Sequence, residues 1–117
     1  MRAGQVLALI RTLSEEPALK PFCRRSFSLE LLLILAEAEG ARRELGVEDC
    51  FEALTIAKPT RGTFSRCYQA LIEGGCLDIK ESSAKRSKRS VRPAPPAAAA
   101  LRRALAAARE AEGSREL

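Results

Sequence analysis

Apolar positions recur at helical spacing in five stretches of the chain and alternate, as in strands, in two more. Val6, Leu7, Leu9, Ile10 and Leu13 predict a helix over 3–14, too short to persist alone, so its apolar face is expected to dock on another element. Pro17 and Pro21 interrupt the pattern and make 15–26 an expected connector. Ser28 is the expected cap of a second helix, with Phe27 as a hydrophobic staple before it and Glu30 in its positive first turn. Leu29, Leu31, Leu32, Leu33, Ile34 and Leu35 make that helix apolar nearly all round, hence central, and Gly40 is expected to end it. Beyond a charged link over 41–46, Val47, Cys50, Phe51 and Leu54 predict a short third helix over about 48–55, followed by a turn at 55–59. Thr60 then caps a fourth helix whose apolar stripe is Phe64, Cys67, Tyr68, Leu71 and Ile72, and the pair Gly74-Gly75 stops it.

From Cys76 the period changes to two, predicting a strand over 76–80. Arg89 to Pro93 is expected to return as its partner, with Val91 inward and Pro93 closing an edge; the alternative is a disordered basic linker. Pro95-Pro96 opens an alanine-rich helix running to Glu112, with Leu101 and Leu105 on one face and Gly113 at its end; a solubilising tail is the alternative. Alanines permit close helix approach, so this helix is expected to pair with residues 3–14 of a second subunit. The expected fold is mainly α with a small β-hairpin (α+β), in three segments: an N-terminal helix and connector at 1–27, a central unit at 28–94, and a C-terminal helix with a frayed tail at 95–117.

Composition narrows the chemistry. With no histidine, the commonest general base is missing, and so are the Ser-His-Asp and Cys-His arrangements. Cys23, Cys50, Cys67 and Cys76 are scattered without a C-x-x-C pair and read as reduced, mostly buried small hydrophobes, so neither a metal nor a cofactor is expected. Acidic residues fall on solvated helix faces, and no glycine-rich phosphate cradle occurs, so catalysis is not expected. No apolar run reaches the roughly 20 residues of a membrane span, and no cleavage pattern follows Arg2, which together predict a cytoplasmic protein.

The net charge of +5 is localised: residues 80–93 carry six bases (Lys80, Lys85, Arg86, Lys88, Arg89, Arg92) against Glu81 alone, and the rest of the chain balances. This basic segment follows the helix opened by Thr60, whose polar side offers Arg61, Thr63, Ser65, Arg66 and Gln69, with Glu73 at the far end. Short hydrogen-bonding side chains interleaved with arginines suit phosphate and base-edge contact, and the charge behind them suits a polyanion.

Helix, short helix, turn, capped helix, strand, basic loop, strand and terminal helix is an order that resembles the MarR family of winged helix-turn-helix bacterial regulators. The likeness is densest in Thr63-Phe64-Ser65-Arg66 continuing to Leu71 and in Gly75-Cys76-Leu77, and it extends to Lys85-Arg86 and Val91-Arg92-Pro93-Ala94. Lys85 stands where the family has an aspartate bracing the wing arginine, and Pro93-Ala94 replaces its Leu-Thr. The resemblance implies sequence-specific binding of double-stranded DNA as a homodimer held by the terminal helices, regulating transcription.

On that reading the helix over 60–74 enters the major groove, with Arg66 and Gln69 at base edges and Thr63 and Ser65 at bases or phosphate. Lys58 and Arg61 hold phosphate at the helix start, where the capping Thr60 also meets the DNA, while Lys85, Arg86, Lys88 and Arg89 of the wing lie along the backbone, Arg86 reaching a minor groove. Whether an effector ligand or oxidation of Cys23 switches the protein is left open by the sequence, although Arg24 and Arg25 beside that cysteine favour a lowered thiol pKa. The competing reading is a winged-helix protein-interaction module whose basic hairpin binds an acidic partner.

Overall fold

The computed structural model describes residues 2–81 and 89–116, with side chains to Glu110. Its elements are α1 (Ala3–Glu15), a 3₁₀ turn (Pro17–Leu19), α2 (Lys20–Cys23), α3 (Ser26–Gly40), α4 (Val47–Ala53), α5 (Arg61–Glu73), β1 (Leu77–Glu81), β2 (Arg89–Pro93) and α6 (Pro95–Glu116). The fold is mainly helical with one two-stranded antiparallel hairpin. Leu32 of α3, Phe64 of α5 and Ala100 of α6 belong to a single core, which α3 traverses.

Three expectations about the N-terminal part are corrected. Rather than breaking the chain into a connector, Pro17 and Pro21 open the 3₁₀ turn and α2, where a missing N–H costs nothing. These turns bury Leu19 and Phe22 completely. Helix α3 begins two residues before the expected cap, with Arg25 in extended conformation as its N-cap. Ser28 lies inside the first turn instead, accepting the Arg25 N–H at 3.3 Å and donating to the Phe22 carbonyl, which ties α2 to α3. Phe27 is within the helix and buried, so it is no staple outside it.

Helix ends follow backbone chemistry. At the close of α5, Gly75 takes φ +74°, the Cys76 N–H reaches the Leu71 carbonyl at 2.8 Å, and the Gly75 N–H reaches Ile72 at 3.1 Å. The same closure ends α3, whose last residue is Gly40 as expected, with Arg42 two residues on taking the left-handed position at φ 58°. There the Arg43 N–H meets the Ala38 carbonyl at 2.7 Å.

The hairpin pairs Leu77 with Pro93, Ile79 with Val91 and Glu81 with Arg89. Val91 is buried as expected, and its N–H also reaches the Leu45 carbonyl at 2.9 Å, pinning β2 to the segment between α3 and α4. At the hairpin base the Ala94 N–H meets the Cys76 carbonyl at 2.9 Å.

Helix α6 lies along α1 of its own chain, which corrects the expectation that its alanine face seeks residues 3–14 of another subunit. Ala97, Ala100, Leu101, Ala104 and Ala108 are buried, and Arg103 holds Glu16 through two 2.9 Å contacts. That bond is the main reason the Glu16 carboxyl titrates below its usual range. The opposite side of α1 leaves Val6, Leu7 and Ile10 40–50% exposed. Among the described residues no helix is long and apolar enough to cross a membrane.

Candidate nucleic-acid interface

Helices α4 and α5 and the turn between them form one braced unit. Phe64 is central: its ring meets Phe51 of α4 edge-on at 5.2 Å and stacks against Tyr68 at 5.6 Å. From the other side Glu30 of α3 grips the turn. Its carboxylate accepts the Thr55 and Ile56 N–H groups at 3.0 and 2.9 Å and the Thr55 hydroxyl at 2.8 Å. Glu30 therefore does not serve the first turn of α3, as expected, but fixes where α5 starts. Partial burial raises its pKa, yet the bonds from Ile56 and Thr55 outweigh that, so the carboxyl titrates below its ordinary value.

Thr60 caps α5 as expected, accepting the Thr63 N–H at 3.2 Å. The buried stripe of Phe64 and Leu71 turns the opposite face outward, and Arg61, Ser65, Arg66 and Gln69 are all exposed. Their engagements differ. Thr60 donates to the Thr63 hydroxyl at 3.0 Å, and Arg66 donates to the same oxygen at 3.3 Å, so the two threonines are spent within the helix. Gln69 donates weakly to Glu73 at 3.3 Å. Ser65 makes no side-chain hydrogen bond among the described residues.

The two residues expected to hold phosphate at the helix start, Lys58 and Arg61, instead sit over the Phe51 ring, each 4.6 Å from its centroid. Arg61 also reaches both Glu48 oxygens at 2.7 Å. This ion pair is solvated on both sides, so it holds Arg61 only loosely. Arg89 is exposed at the start of β2, and it lines a cleft with Glu44, Glu48 and Asp49. Lys85, Arg86 and Lys88 lie outside the described residues.

Sequence reasoning placed Arg24 and Arg25 beside Cys23 but not against α5. They sit at the α2–α3 corner and share a cleft of about 590 Å³ with Arg66, Thr63 and the Cys67–Leu71 side of α5. The only advance signal was a dibasic pair inside what read as a connector.

Burial raises all four thiols, Cys50 to about 12 with help from the adjacent Asp49 charge. Cys23 follows the same rule, which overturns the expectation that Arg24 and Arg25 activate it. Among the described residues no group of three or more Cys, Asp or Glu is placed to hold a metal ion.

Comparison with known proteins gives no match, whether to family models, to curated proteins or to solved structures.

Proposed function

We propose that this chain is a winged helix-turn-helix DNA-binding regulator acting as a homodimer. Helix α5 enters the major groove, where Arg66 and Gln69 reach base edges and Ser65 reaches a base or phosphate. The basic segment between β1 and β2 lies along the backbone, as the charge of residues 80–93 suggests. The observation that carries this reading is the pairing of a rigidly seated helix with an exposed polar face on which Arg66 and Gln69 make only 3.3 Å contacts within the helix itself. Phe64 and the Glu30 grip fix the helix axis, while Arg66, Ser65 and Gln69 keep donors free for a ligand.

Arg61 fits the scheme through exchange. A surface ion pair contributes about 0–1 kcal/mol, so a DNA phosphate can replace Glu48 as its partner. The exposed Val6, Leu7 and Ile10 stripe on α1 supplies the seam for a second copy, and two-fold symmetry then favours a pseudo-palindromic site. Selection of bound duplexes from a random pool by gel shift, at two salt concentrations, tests this. Enrichment of a two-fold-related motif is expected, with a log-log salt slope of about −7 per dimer if each subunit neutralises about four phosphates. A pool that emerges unenriched refutes it.

A further inference from the structure

The cleft between the α2–α3 corner and α5 has a lining that is unusual for this chain. Arg24 and Arg25 come from one wall, Arg66 from the other, and no aspartate or glutamate contributes to it. None of the three arginines forms an ion pair among the described residues. Two other clefts differ: Glu39 and Glu44 line one, and Glu44, Glu48 and Asp49 line the other. Arg25 acts electrostatically on the Cys67 thiol within α5 and Arg24 on Cys76 just beyond its end. From Thr63 to Gly74 the cleft follows the helix for about 16 Å at 1.5 Å per residue.

Like charges gathered without a counter-ion repel one another, and a bound anion relieves that repulsion. A charge distribution drawn out over three turns suits a chain of phosphates better than one compact anion. We infer that this cleft is a backbone-phosphate track, in which Arg24 and Arg25 hold the DNA strand flanking the groove that α5 enters. Arg66 stands at its border, between the track and the base edges. The inference rests on the DNA-binding reading above and extends it to residues on a different element.

The test uses the full-length chain with Arg24→Ala/Arg25→Ala and Arg24→Lys/Arg25→Lys, each checked by thermal melting. Binding to the selected duplex and to a random duplex is followed by fluorescence anisotropy across a salt series. The alanine pair is expected to lose about tenfold or more on both duplexes alike, and to flatten the salt slope by about 2 per subunit. The lysine pair, which keeps the charge, is expected to retain the slope. An unchanged slope in the alanine pair, alongside tight binding by the natural chain, overturns the track alone. A loss confined to the selected duplex also overturns it, because that is the mark of base readout. Failure of the natural chain to bind any duplex, with capture by polyglutamate instead, overturns the DNA-binding reading along with it.

Discussion

Glu30 is the residue through which the central helix sets the position of α5, and removing its carboxylate should loosen that junction measurably. Glu30→Ala leaves three donors without their acceptor: the Thr55 N–H, the Ile56 N–H and the Thr55 hydroxyl. Hydrogen bonds to a charged group contribute about 1.5–3 kcal/mol each when dry. These are partly solvated, so water recovers much of the loss, and a total of about 2 kcal/mol is expected. Glu30→Gln keeps one oxygen facing the two N–H groups but turns an amide donor toward the hydroxyl, for a loss of about 1 kcal/mol. Urea denaturation followed by circular dichroism reads both values, and the alanine variant should melt about 8 °C lower. The pH dependence has a fixed sign. Because folding lowers the Glu30 pKa, its contribution is fully present above the ordinary value of 4.5 and is lost as pH falls through the lower folded value. The gap between natural and variant chains should therefore close in acid. A gap below about 0.3 kcal/mol at neutral pH, or one equally wide in acid, would refute the clamp.

Other outcomes follow from single features. Arg42 occupies the left-handed position at φ 58°, so Arg42→Gly should stabilise the chain by about 0.5–1 kcal/mol in the same denaturation assay. Ser90 is buried with its hydroxyl unpaired among the described residues, so Ser90→Ala should be neutral or up to about 1 kcal/mol stabilising, where an ordinary buried serine would lose stability. Cys50 has its thiol pushed up to about 12 from 9.0, so the stability it contributes is intact below 9 and declines as pH rises toward 12. Cys50→Ala should flatten that alkaline decline. With every thiol raised, alkylation by iodoacetamide at neutral pH should lag behind that of a free-cysteine peptide, and brief peroxide treatment should leave DNA binding intact.

What the sequence made legible was local. The Thr60 cap, the Gly74-Gly75 stop and the alternation that produces β1 and β2 all depend on neighbours within a few residues, and each element lies within a residue or two of its expected span. Leu31, Leu32 and Leu35 marked α3 as central because an all-apolar helix has nowhere else to go. Contacts between distant segments were invisible. Nothing in the sequence tells Glu30 from any other helix-surface glutamate until the Thr55 turn, 25 residues on, comes against it. Likewise, Arg61 read as free because Glu48 belongs to another helix, and Arg24 and Arg25 read as linker because two prolines hid a helical corner. The direction of the Cys23 shift failed for a related reason: adjacent arginines in sequence were visible, but burial against α1, which dominates, was not.

The claim most exposed to test is that the outward face of α5 reads base sequence. Titrating the natural chain and Arg66→Ala against a selected duplex and a scrambled one, at fixed salt, measures it directly. The substitution is expected to cost about 1–3 kcal/mol on the selected duplex and much less on the scrambled one, collapsing the difference between them. Equal losses on both would mean that Arg66 touches only the backbone, and that this helix does not do the reading.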